Sequence, residues 1–174
     1  MFFTVTINGE KVGSVENKDP RTFKNVKVFA GDKFLTAASA AYRNLIWEKI
    51  GLSGAVKKNT EIATIPSWGP QFRVCFDLKI NSLASGNRGG WSSVISFKKD
   101  GGAGNNGQLG DRIPAIFFNK KGFLHFSSSV NRNRNYNFNF NSIKLNKWYR
   151  IALAQTWEND KVRETEKINK LHNL

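Results

Sequence analysis

The residues best suited to hold a ligand are the arginines of Asn131-Arg-Asn-Arg-Asn-Tyr136. In an extended chain Arg132 and Arg134 alternate onto one side, and each offers a planar fork that fits sulfate, carboxylate or phosphate. Tyr136 closes the run, and Lys98, Lys99, Arg112, Lys120 and Lys121 fall in neighbouring loops. Together they make an anion-binding candidate, set against the plainer reading of a charged strand edge that resists pairing with other chains. Trp68, Trp91, Trp148 and Tyr149 can stack on sugar rings, though aromatics on strands more often pack a core.

Other chemistry is sparser. Asp100, Asn105, Asn106 and Asp111 lie in a Gly/Asn-rich loop and can supply the oxygen ligands that calcium prefers. Glycoside hydrolysis calls for paired carboxylates facing one cleft. Asp77 stands alone among Arg73, Cys75 and Lys79, and Glu164 and Glu166 have the spacing but sit where no strand pattern remains. His125 and His172 lack a Cys or second His at zinc-ligand spacing, and Ser127 and Ser129 read as strand-end serines. Cys75 is the single cysteine, so no internal disulfide forms, and it reads as a small buried filler. No catalytic or cofactor signature emerges, and a non-enzymatic protein is expected.

Lys+Arg 27 against Asp+Glu 13 gives the 174-residue chain a net charge of +14, which draws acidic glycans, nucleic acid or anionic surfaces from a distance. The basic residues are scattered, so simple solubility is the competing reading. A hydrophobic content of 40% with Phe 14 and Trp 5 is too high for a disordered chain and suits one domain. No apolar run approaches the roughly 18 residues of a membrane span. The start, Met-Phe-Phe-Thr-Val-Thr-Ile, lacks the basic opening and cleavage site of a signal peptide.

These side chains must be positioned by strands. Phe72, Val74, Phe76, Leu78 and Ile80 alternate with Arg73, Cys75, Asp77 and Lys79, which predicts a strand with one buried face, entered from turn-rich Pro66, Gly69 and Pro70. Asn8-Gly9 joins extended runs over 1–7 and 10–16 into a hairpin. Further strands are expected over 25–30, 61–65, 91–97, 135–141 and 148–157, with a hairpin from 113–119 to 122–127. In 91–97, Trp91, Ser93, Ile95 and Phe97 are expected in register, and in 135–141 Tyr136, Phe138 and Phe140 oppose the asparagines. The alanines of 34–50 favour a helix by propensity, but a loop followed by a strand over 42–47 suits the rest of the chain better. Residues 51–60 read as a linker, 98–112 as a long loop, and 161–174 as a tail or short helix. Many short strands joined by Gly/Asn turns predict an all-β antiparallel two-sheet sandwich.

Three segments carry a resemblance. Leu145-Asn-Lys-Trp-Tyr-Arg-Ile-Ala-Leu153, Phe3-Thr-Val-Thr-Ile-Asn-Gly9 and Tyr42-Arg-Asn-Leu-Ile46 are similar to strands of the concanavalin A-like lectin/glucanase superfamily, in its laminin G-like branch. Ile65-Pro-Ser-Trp-Gly-Pro-Gln-Phe72 and Gly110-Asp-Arg-Ile-Pro-Ala115 resemble a subset found as tandem repeats in marine invertebrate extracellular proteins. The resemblance implies a jelly-roll sandwich over 1–160, a loop-rim calcium site, an extracellular setting, and a glycan or extracellular protein as partner. The order departs from the family: 1–49 match its closing half and 60–160 its opening half, with 50–59 as linker. The chain is then a circular permutation, or a window across two tandem repeats whose halves complete one core or exchange with a second copy. Either way 2–7 should pair with 148–157. The runner-up function is a structural repeat for assembly, and a third is single-strand nucleic-acid binding, which the sequence favours least.

Overall fold

A computed structural model describes residues 1–31, 35–46, 51–83, 89–101 and 108–157. Among them the chain is all β, with no helix. Its strands are β1 (Phe2–Ile7), β2 (Glu10–Glu16), β3 (Phe23–Ala30), β4 (Thr36–Ala37), β5 (Ala40–Ile46), β6 (Leu52–Ala55), β7 (Glu61–Trp68), β8 (Phe72–Ile80), β9 (Trp91–Lys98), β10 (Ala115–Asn119), β11 (Leu124–Val130), β12 (Asn133–Phe140) and β13 (Trp148–Thr156). The tail or helix expected over 161–174 lies outside the described residues, as do Trp47, Glu164, Glu166 and His172.

The strands form a six-stranded sheet, β2-β1-β13-β8-β5-β6, and a seven-stranded sheet, β12-β11-β10-β9-β3-β7, with short β4 beside β9. Pairing is antiparallel throughout except for β4 with β9. One core lies between the sheets. Phe3, Val5, Ile7, Val74, Phe76, Leu78, Ile151 and Leu153 from the first meet Val26, Val28, Phe97, Ile116, Phe118, Leu124 and Phe126 from the second. Burying each such side chain contributes about 1.5–3 kcal/mol.

The alternation read in 72–80 holds: Val74, Phe76, Leu78 and Ile80 enter the core while Asp77 and Lys79 face out. β1 pairs with β13 from Phe2↔Thr156 to Ile7↔Ile151, as the sequence leads one to expect. Asn8 and Gly9 both have positive φ, +51° and +84°, which is the twist a two-residue hairpin needs. On the other side of the same sheet, β5 pairs with β8. Strands from the first third of the chain therefore flank β8 and β13 on both sides. A buried polar clasp fixes this join. The Asn17 side chain donates to Gln155 Oε1 at 2.7 Å and accepts from the Asn131 backbone N–H at 3.1 Å, while Gln155 in turn donates to the Pro70 carbonyl.

Four segments differ from the sequence reading. Residues 51–60 are more than a linker: Leu52–Ala55 adds β6 to the open edge of β5, and Val56 is buried. Short segments with little to bury still form strands when an unpaired edge offers hydrogen bonds. β7 runs on through Pro66 to Trp68, because it is an edge strand and Pro66 needs no ladder partner on its open side. Arg132 does not continue an extended run. Asn131 and Arg132 have φ of +51° and +63° and form the tight turn between β11 and β12, so the two arginines lose their expected alternation.

The fourth difference is in β9. Ile95 pairs with Ile116 and Ser93 with Phe117, which leaves Val94 as an extra residue. This bulge turns the strand over, so Ile95 and Phe97 enter the core while Trp91 and Ser93 take the opposite face.

Candidate functional site

The bulge at Val94 builds the outer face of the seven-stranded sheet. Cross-strand register lays Asn139, His125, Phe117 and Ser93 in one row, on β12, β11, β10 and β9. A parallel row holds Asn137, Ser127, Ala115, Ser96 and Phe29. Phe29, Ala115 and Phe117 are buried yet stand outside the main core cluster, so they form a separate apolar floor.

Cations cover this floor. The Arg112 guanidinium lies 4.5 Å from the Phe117 ring centre, and the Lys98 ammonium 4.0 Å from that of Phe29. Such contacts are each worth about 0.5–2 kcal/mol, more when dry. Lys98 is directly opposite Lys27, a repulsive pairing. Their side chains diverge along that face: Lys27 reaches Glu61 at 3.5 Å, while Lys98 folds onto Phe29. Arg112 also donates to Asn135 Oδ1, which accepts the Ser127 hydroxyl at 2.6 Å. The Ser96 hydroxyl is buried on this face without a hydrogen-bond partner among the described residues.

At one end the face opens. Trp91 meets His125 edge-on at 5.0 Å and Phe123 at 5.4 Å. His125 Nδ1 is 2.8 Å from Asn139 Oδ1. Burial pushes the His125 pKa down, and the nearby Arg112 charge adds to this against the Asn139 hydrogen bond, so the ring is neutral at pH 7. Nδ1 is then the donor to Asn139, leaving Nε2 as an acceptor. Lys120 lays its aliphatic stem against Gly90, beside Trp91. Asn137 and Asn139 are exposed. The arrangement offers ring edges, amides, a neutral imidazole and flanking cations, the groups needed to bind a hydroxyl-rich or anionic ligand.

The residues singled out in the sequence are therefore divided. Arg112, Lys120 and Lys121 border this face, Lys120 and Lys121 in the turn from Asn119 to Gly122. Arg132 lies off it, with Nε 3.4 Å from Asp19. Arg134 is exposed on β12, and Tyr136 packs inward beside Phe138. Trp68 and Tyr149 are core residues, while Trp91 and Trp148 reach the surface. In the loop proposed for calcium, the Asp111 carboxylate accepts the Gln108 N–H at 2.8 Å and Asp100 accepts that of Gly101 at 3.0 Å. Asn105 and Asn106 lie outside the described residues. No group of three or more His, Cys, Asp and Glu poised for a metal occurs among the described residues. Cys75 is buried, with Arg73 Nε donating to its sulfur at 3.3 Å. Sequence reasoning passed over Phe117 and set Lys98 only among the basic loop residues, whereas Lys98 ends β9. Nothing in their local pattern marks them as part of one face, since a bulge and cross-strand register bring them there.

No helix among the described residues is long and apolar enough to cross a membrane. Comparison with protein-family models, curated proteins and solved structures finds no match to this chain.

Proposed function

We propose that this chain is a non-enzymatic binding module of the concanavalin A-like, laminin G-like type. It takes a saccharide on the open end of its seven-stranded sheet, with Trp91 and His125 against the ring and Asn137 and Asn139 to its hydroxyls. Lys120, Lys121 and Arg112 favour a sugar that carries negative charge. An extracellular setting and a permuted order of the family's strands belong to the same reading. The pairing of β1 with β13 supports the permuted order, because it joins strands that the family has in succession.

The observation that carries the proposal is the bulge at Val94. It takes Trp91 out of the core and sets it 5.0 Å from His125, which is itself opposite the exposed amide of Asn139. A large aromatic on a solvent-facing sheet, ringed by hydrogen-bonding side chains, suits a ligand with an apolar ring face and a polar rim.

A glycan array followed by calorimetry with the best neutral and uronate-bearing oligosaccharides tests it. Trp91→Ala is expected to weaken binding about tenfold or more, a loss of about 1.4 kcal/mol. Lys120→Gln with Lys121→Gln should weaken only the charged sugars. Binding that survives Trp91→Ala removes this site. A folded protein that binds no glycan on the array favours the structural repeat instead.

A further inference from the structure

We infer that the outer face of the six-stranded sheet carries a second binding point, unrelated to the saccharide face: a seat for a tetrahedral oxyanion, the sulfate or phosphate ester of a ligand, made by Arg43, Lys79 and the indole of Trp148.

The placement begins with register. Arg150, Asp77 and Arg43 stand in one row on β13, β8 and β5. In the next row Trp148 is opposite Lys79, which is opposite Ala41. A bulge in β5, with Asn44 at φ +53°, directs Arg43 across β8. Its Nε donates to Asp77 Oδ2 at 3.0 Å, and its guanidinium carbon lies 4.4 Å from the centre of the Trp148 ring. The Lys79 ammonium is 5.1 Å from the same centre. Two cations thus converge on one indole.

This arrangement prepares Arg43 to bind. Asp77 and Trp148 fix its orientation, while its terminal nitrogens make no hydrogen bond among the described residues. Those nitrogens form the outer fork that grips oxyanions. Asp77 cannot neutralise the cluster. Arg150 occupies its Oδ1, and Arg43 and Asn44 occupy its Oδ2. Lys79 makes no ion pair among the described residues. Arg43, Lys79 and Arg150 together outweigh the one carboxylate, and an anion is drawn to the excess.

The chemistry of the donors selects the group. A fork engages two oxygens and an ammonium a third, which fits a tetrahedral oxyanion better than a carboxylate. Access is open: Trp148 is 37% exposed and the Arg43 side chain 51%. Ala41 and Ala55, paired across β5 and β6, leave headroom beside Lys79.

Proton–nitrogen NMR of the Trp148 indole, assigned with Trp148→Phe, tests the inference in the intact chain. Sodium sulfate, sodium phosphate and a sulfated disaccharide are titrated against sodium chloride at matched ionic strength. A saturable shift is expected with the oxyanions and none with chloride. Arg43→Gln should weaken binding about tenfold or more, by loss of a charge-assisted pair. Lys79→Gln should weaken it less. Tighter binding of the disaccharide than of sulfate identifies a sugar ester as the source, and equal binding identifies the free ion. Trp91→Ala should leave the shift intact, so failure of the saccharide reading leaves this one standing. A shift equal in chloride, or one that persists in both Arg43→Gln and Lys79→Gln, overturns it. Unchanged melting temperatures certify that the variants are folded.

Discussion

The outer faces of the two sheets both display arginine and lysine, and they hold them by different means. On the six-stranded sheet a carboxylate does it: Asp77 takes Arg150 at 3.1 Å and Arg43 at 3.0 Å. On the seven-stranded sheet Lys27 meets the Glu61 carboxylate at the edge, but the cations over the apolar floor lie on rings, Arg112 over Phe117 and Lys98 over Phe29. Charge held by charge is exposed to acid and salt. Charge held by an aromatic face depends on the ring staying in place. One face is tuned by its electrostatics and the other by its packing.

That contrast is testable, and the largest effect should come from the rings. Phe117→Ala empties a floor residue that is 2% exposed and should cost about 3 kcal/mol in urea unfolding. Trp148→Ala on the other sheet should cost under about 1 kcal/mol, since the ring is 37% exposed. Equal losses would erase the distinction between the faces.

Asp77→Asn should come next, at about 1–2 kcal/mol near pH 7, because it strips the carboxylate from both arginines. Burial raises the Asp77 pKa, but hydrogen bonds from Arg150 and Asn44 and the arginine charges outweigh it, and the net shift is downward. A folded pKa below the unfolded value of about 3.9 gives stability that is full above that pH and lost as the folded group is protonated. The gap between wild type and Asp77→Asn should therefore persist at pH 5 and close under strongly acid conditions. A gap independent of pH would mean that shape rather than charge sets the effect.

Two serines offer a finer test on the seven-stranded side. Ser127→Ala removes the hydroxyl that donates to Asn135 and should cost about 1 kcal/mol. Ser96→Ala removes a buried hydroxyl with no partner among the described residues and should be neutral or stabilising. The smallest effect belongs to His125. Its pKa is lowered in the fold, so below pH about 6.5 the unfolded chain takes up a proton that the folded one resists. Stability should decline slightly from pH 7 towards 5, and His125→Gln should flatten that slope.

The sequence made the strands legible where one face is buried and the other wet. Phe72–Ile80 and the Tyr136, Phe138, Phe140 series show period two because the core takes alternate residues. Asn8-Gly9 announced its hairpin through backbone freedom alone. The site was less legible. Arg112, Lys120 and Lys121 were found as basic residues near a strand pair, but the run that seemed strongest, Arg132 to Tyr136, divides into a turn, an exposed edge position and a core contact. Trp91 was read in register with Ile95 and Phe97, because a bulge leaves no mark in composition. Arg43 and Trp148 are 105 residues apart and meet only through the pairings of β8. Such pairs become visible only when register is known.

The long-range pairing of β1 with β13 also sets an order of events during synthesis. At roughly 5–20 residues per second, the first hairpin leaves the ribosome many seconds before the strand that will cover its inner edge. Until then β1 waits with a row of amide and carbonyl groups open, and on a crowded polysome the nearest free copy of Trp148–Thr156 can belong to a sister chain. Dilution during refolding should favour the closed monomer, and concentrated refolding should trap partners that have traded hairpins.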